Sequence, residues 1–259
     1  MNSNSILELK TVQSNAFRIL IEALKEILTD ANIEFDESGM KISTMDASHT
    51  VLVHLKLDSD KFESYKCTKK IIIGVNMLNF FKLIKTIGNS DTLTLFIESN
   101  NEEKLGIKIE NGEKNSVTNY KLNLMDLNEQ TLQVQPADFE SIITMPSVEF
   151  QKIIRDMNVL ADVVDIKSIG KQLIFGCKGD FASQETIIGE ANSGMSFTVS
   201  GGGIVQGLFS LKYLVLFTKC TNLCQSIEVY LRNDYPLIIK YTVASLGAIK
   251  MCLAPQAPA

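Results

Sequence analysis

The sequence predicts an α+β chain built as two similar domains, each with two helices set among short antiparallel strands. Three observations carry this expectation. Stretches of alternating apolar and polar residues fill most of the 259 positions. Only four stretches carry the three-to-four-residue apolar spacing of an amphipathic helix. The order of these signals in the first half returns in the second half at a shift of 134 residues.

Taken in order, the first helix is read over 16–28, AFRILIEALKEIL. Phe17, Leu20, Ile21, Leu24 and Ile27/Leu28 make one dry face, and Ser14 is placed as its N-cap. VLVHLKL (51–57) alternates as a strand does. The second helix is read over 75–87, VNMLNFFKLIKTI, capped by Asn76. TLTLFIE (92–98) and LGIKIE (105–110) alternate again, and ENGEKNS (110–116) reads as a turn. NLMDLNEQTLQVQPADF (123–139) is polar with spaced apolar residues and one proline, which reads as a linker. The domains are therefore placed at 1–124 and 139–259, joined by 125–138. The third helix is read over 148–160, capped by Ser147, and the fourth over 210–221, capped by Ser210. SGGG (200–203) is a loop. SIEVYLR (226–232) and AIKMCLAP (248–255) alternate, and PLIIKYTVAS opens on Pro236, which fits a strand start. The shift lays Lys85 on Lys219, Arg18 on Lys152 and Asn76 on Ser210; identity is low, so the pattern repeats rather than the residues.

Composition narrows the function classes. Forty-five percent apolar and 21% charged is ordinary for a globular protein, and no run of about 18 apolar residues predicts a membrane span. The opening MNSNSILELK lacks the pattern of a secretory signal. Five scattered cysteines fit a reducing compartment. Cys220 and Cys224 form a C-x-x-x-C with no histidine near, so no metal site is expected. His49 and His54, five apart on a predicted strand, point to opposite faces and cannot share a metal. No nucleotide-binding or hydrolase motif is present: the Gly-Lys at 170–171 is followed by Gln172, and GGGIVQG (201–207) lacks the dinucleotide spacing. Neither an enzyme nor a cofactor is expected. A net charge of −5 argues against a generally basic nucleic-acid binder, but not against a local basic surface.

Each predicted helix carries a basic pair: Arg18 and Lys25, Lys82 and Lys85, Lys152 and Arg155, Lys212 and Lys219. Spacings of three and seven keep each pair on one face. Glu22 shares the face of Arg18 and dilutes it. One such pair is ordinary solvation of a surface helix. Four of four, in a chain with 25 basic and 30 acidic residues, points to a surface that meets a polyanion.

Several stretches in order resemble the proliferating cell nuclear antigen family, the eukaryotic-type DNA sliding clamps. They are FDESGMKISTMDASHTVLVHLKL, YKCTKKIIIGVNMLNFFKLIKTIGNSDTLTL, KLNLMDL with MPSVEFQKIIRDM, FSLKYLVLFTKCTNL, and PLIIKYTVASLGAIKMCLAP. No one motif decides; their order and spacing over about 250 residues do. The resemblance implies the DNA clamp fold, with three chains closing head to tail into a pseudo-six-fold ring around duplex DNA. It implies a polymerase processivity factor, with the eight cations above lining the channel. Ring closure would pair edge strands near 116–124 and 183–190. It also implies a partner groove for short PIP-box segments of polymerase, clamp loader and other proteins, at Met45, His49, Leu52, Leu132, Val134, Pro236, Cys252, Ala254 and Pro255. Read alone, most of these nine are core or strand residues, and His49 is a hydrogen-bonded surface histidine.

The departures from the family are specific. Cys252 stands where an aromatic is usual, Gln135 precedes the displaced Pro136, and QAPA replaces an acidic tail. Lys167 and Lys171 both lie near the family's modification site. High Ile, Asn and Lys content fits an AT-rich eukaryote or a large DNA virus, hence action in a nucleus or at a viral replication site. The rival readings are one subunit of a heterotrimeric checkpoint-type clamp, a monomeric processivity factor, and a scaffold that no longer encircles DNA.

Overall fold

The computed structural model describes residues 4–127, 132, 137–190, 194–200 and 203–257. In chain order the elements are β1 (Ser5–Thr11), α1 (Ser14–Ile27), β2 (Asp30–Asp36), β3 (Gly39–Met45), β4 (Val51–Asp58), β5 (Ser64–Cys67), β6 (Ile71–Asn76), α2 (Met77–Ile84), β7 (Asp91–Glu98), β8 (Asn101–Asn111) and β9 (Ser116–Asn123). Then follow β10 (Ser141–Pro146), α3 (Ser147–Asn158), β11 (Val163–Ile169), β12 (Gln172–Lys178), β13 (Ser183–Gly189), β14 (Ser196–Val199), β15 (Ile204–Ser210), α4 (Leu211–Phe217), β16 (Ser226–Leu231), β17 (Leu237–Val243) and β18 (Gly247–Leu253). Short 3-10 turns sit at Ser59–Lys61 and Thr218–Leu223. At the 134-residue shift, every α-helix and strand from β1 to β9 has a counterpart starting within three residues of the shifted position. The duplication read from pattern alone is therefore present element by element.

The chain divides into two compact units: 1–47, 53–134 and 242–249 form one, and 48–52, 135–241 and 250–259 form the other. In unit one, a five-stranded antiparallel sheet runs β5-β1-β7-β8-β9. The strands β4, β3, β2 and β6 are neighbours in that order, with β2 antiparallel to both β3 and β6. α1 and α2 pack together there, and the rings of Phe17 and Phe80 meet edge to face at 6.2 Å. In unit two, β13-β12-β11-β15 form an antiparallel sheet, and β14, β10, β16 and β17 are antiparallel neighbours in that order. α3 is tied to the turn after α4 by Gln151 Nε2 donating to Thr218 O at 3.0 Å.

The helix ends differ from the sequence reading in instructive ways. α1 starts at Ser14 rather than after it: Gln13 holds the N-cap position, and the Ser14 hydroxyl donates to Asp91 O at 2.5 Å. α3 likewise starts at Ser147, behind Pro146, whose fixed φ suits the entry to a helix. Ser147 Oγ instead reaches Cys224 O at 2.6 Å. Asn76 caps α2 as expected, accepting from Asn79 N at 3.0 Å. Ser210 flanks α4 at the expected position but makes no side-chain cap bond. α2 and α4 are shorter than read, ending at Ile84 and Phe217. After α4 the threonine hydroxyls of Thr218 and Thr221 bond back to Val215 O and Thr218 O, both at 2.7 Å. Such local side-chain bonds compete with the α-helical ladder, and the chain tightens to 3-10.

The expectation that His49 and His54 share a strand is corrected. β4 begins at Val51, and His49 sits in the preceding turn with φ +55°, exposed. Only His54 is on the strand.

Candidate nucleic-acid interface

The interface residues follow from which face each helix buries. α1 buries Phe17, Leu20, Ile21, Ala23 and Leu24, leaving Arg18, Glu22, Lys25 and Glu26 on the wet side. α2 buries Met77, Phe80 and Ile84, so Lys82 is exposed. Lys85 lies one residue past the helix, still in helical backbone (φ −58°, ψ −24°), and is exposed too. α3 buries Phe150, Ile153, Ile154 and Met157 and exposes Lys152 and Arg155. α4 buries Leu211, Leu214 and Phe217 and exposes Lys212; Lys219 is exposed within the 3-10 turn rather than on the helix.

The eight cations are not equivalent. Arg18 Nη1 contacts Glu22 Oε2 at 3.0 Å, while its Nη2 and Nε donate to Asn15 Oδ1 at 2.9 and 3.2 Å. Its side chain is 23% exposed. Lys25 pairs with Glu26, lies 5.1 Å from the centroid of the Phe81 ring, and is only 16% exposed. Among the described residues, Lys82, Lys85, Lys152, Arg155, Lys212 and Lys219 form no ion pair with a carboxylate. Lys212 lies 5.7 Å from the Tyr213 ring. Phe81 and Glu26 were missed by the sequence reading, although the signal was available. In the doublet Phe80-Phe81 the two rings are about 100° apart on a helix, so only one can enter the core.

The residues that the resemblance placed at a partner groove fall some in one unit and some in the other. In unit one, Ser43 and Leu132 hold each other: Leu132 N donates to Ser43 O at 3.3 Å and Ser43 Oγ donates to Leu132 O at 2.5 Å. Leu132 is thereby anchored while its side chain stays exposed, and Met45, two residues along β3, is half-buried. Val134 lies outside the described residues. In unit two, Ala254 N donates to Thr50 O at 3.2 Å, next to the exposed His49 and the half-buried Leu52. Ala254 and Pro255 are exposed, and Pro236 is half-buried. Pro255 lines an open groove of 640 Å³ with Gln206, Leu208, Asp234, Tyr235 and Gln256. Cys252 is buried, and burial pushes its thiol up to about 11, so it presents neither an aromatic nor a reactive group.

Among the described residues, no group of three His, Cys, Asp or Glu side chains could hold a metal, and all five cysteines are free. No described helix is long and apolar enough to cross a membrane.

Residues 6–132 match the family model for the proliferating cell nuclear antigen N-terminal domain, and residues 133–256 match that for its C-terminal domain. The chain belongs to the proliferating cell nuclear antigen family. It is similar to the probable DNA polymerase sliding clamp 1 of Paramecium bursaria Chlorella virus 1, at 39% identity over 258 residues, covering 98% of each chain. The two-domain α+β clamp fold and the sliding-clamp class are thus those the sequence reading expected.

Proposed function

We propose that the chain is a ring-forming DNA polymerase processivity factor whose helix cations meet the phosphates of duplex DNA. Six exposed cations with no carboxylate partner among the described residues, in a chain of net charge −5, carry this reading. Long flexible side chains without fixed partners touch phosphate directly or through water and read no sequence. Binding of this kind is weak at physiological salt, because each neutralised phosphate adds to the salt dependence. A clamp needs that weakness in order to slide. Retention comes from closure around the duplex, with 1–124 and 139–259 as clamp domains and 125–138 as the connecting loop.

The internal repeat supports closure by identical copies. β18 runs beside β4 in the strand order. At the 134-residue shift β4 corresponds to β13 and β18 to β9. β9 and β13 each end a sheet with one open edge, so the open edges are counterparts of two strands that already pair. Val117 on β9 and Ile187 on β13 are 55% and 54% exposed, and Phe181, just before β13, is 76% exposed. A head-to-tail contact of this kind forms a ring when its rotation closes. We place three copies in that ring. This self-complementarity favours a homotrimer over one subunit of a heterotrimeric checkpoint-type clamp or a monomeric processivity factor.

The role is non-catalytic. Partners are DNA polymerase, the clamp loader and other proteins that insert PIP-box segments at Met45, His49, Leu52, Leu132, Val134, Pro236, Cys252, Ala254 and Pro255. The chain acts where its DNA is copied, in a nucleus or at a viral replication site; the viral relative supports the second.

The test is polymerase extension with a loader on primed closed circles and on linear DNA with free ends. The protein is expected to lengthen products on circles and to be lost from linear ends. Equal retention on both would rule out closure around DNA.

A further inference from the structure

We infer that Glu22 and Glu26 are built-in brakes on the polyanion surface: they hold the two cations of α1 back from phosphate, so that α1 grips DNA far less than the other helices. This rests on the reading of the helix cations as DNA-facing.

Four observations converge. The wet face of α1 carries Arg18, Lys25, Glu22 and Glu26, two cations and two carboxylates. Both cations are engaged: Arg18 by Glu22 at 3.0 Å and by Asn15, Lys25 by Glu26 and by the face of Phe81 at 5.1 Å. Both are the least accessible of the eight, at 23% and 16%, whereas the remaining six are exposed. The repeat supplies an internal comparison. Asp156 on α3 is the counterpart of Glu22, four residues beyond Lys152 as Glu22 is four beyond Arg18. Yet among the described residues Asp156, one methylene shorter, makes no ion pair with Lys152, and neither cation of α3 pairs with a carboxylate.

The physical consequence concerns counterions. A free surface lysine that meets a phosphate lets a condensed cation leave the DNA, adding about 0.9 to the salt slope. A cation already neutralised by its neighbour must first break that contact, and the freed carboxylate then faces the phosphate. Its net contribution falls toward zero. α1 packs against α2 and keeps its place on the wet surface, but its charge is withheld.

The experiment measures the affinity of a short linear duplex by fluorescence anisotropy between about 50 and 200 mM salt, the range in which phosphate contacts dominate the salt slope. The variants are E22Q/E26Q, R18A/K25A, all four together, and E37Q/E113Q as an equal charge change elsewhere; circular dichroism checks each fold. E22Q/E26Q is expected to steepen the slope by about 0.9 to 1.8, one to two phosphates. R18A/K25A is expected to change the slope little in the wild type and to abolish the gain in the glutamine background. The inference is overturned if R18A/K25A lowers the slope equally in both backgrounds, if E22Q/E26Q leaves it unchanged, or if E37Q/E113Q steepens it as much. K82A/K85A separates the two levels. If it lowers the slope while E22Q/E26Q does nothing, only the brake fails. If it too does nothing, the DNA-facing reading fails.

Discussion

Asp36 illustrates how one side chain fixes a turn. It ends β2, and Ser38 donates to its Oδ1 from both backbone N (2.7 Å) and hydroxyl (2.6 Å), while Lys41 Nζ reaches Oδ2 at 2.6 Å. Burial alone would raise this carboxyl, but the bonds from Lys41 and Ser38 outweigh it and hold it at about 2. The folded value lies below the unfolded value of about 3.9, so the carboxylate stabilises the fold above pH 4 and loses that effect as pH falls toward 2. Asp36→Asn is expected to cost about 1 kcal/mol in urea unfolding at pH 7, discounted for partial exposure, with the difference shrinking below pH 4. A difference independent of pH would mean that the carboxylate charge is not the cause. Neither this turn nor its ion pair with Lys41 was read from the sequence, because a register between two strands must first bring position 41 back beside 36.

At the scale of elements, the helices and alternating strands were read from periodicity because burial on one face imposes it. Asn76 was placed correctly as the cap of α2, but other ends were not, because ends depend on distant partners: Ser14 and Ser147, placed as caps, spend their hydroxyls on Asp91 and Cys224 carbonyls instead. The junction between β6 and the linker shows another hidden constraint. Met125 bridges Gly74, donating its N–H to Gly74 O at 2.8 Å. A Cβ on Gly74 would lie 2.3 Å from Met125 O and 2.8 Å from Leu127 Cγ. Gly74→Ala is therefore expected to lower stability by roughly 1–3 kcal/mol, as overpacking does, and to speed amide exchange at Met125. Unchanged exchange there would show that the strand edge yields without losing the bridge. Among the site residues, exposure of Lys82, Lys152 and Arg155 followed from helical spacing, whereas the engagement of Lys25 required Phe81 on a neighbouring helix.

For the whole molecule, the duplication was readable because both halves solve the same burial problem with the same order of elements, even where few residues are shared. The strands proposed to join copies came only from the family resemblance, since an open strand edge looks like any other strand in sequence. Light scattering after size exclusion is expected to give three times the 28.7 kDa chain mass at micromolar concentration. Ile187→Glu is expected to return the protein to a single chain with unchanged circular dichroism. A strict monomer for the unaltered protein would end the homotrimer reading. Because β9 and β13 belong to one polypeptide, a chain damaged in only one of them keeps a sound edge at its other end. In the proposed ring, such a chain would join a growing oligomer and then stop it from closing. Produced beside the normal protein, a variant of that type would poison the proposed ring rather than merely dilute it.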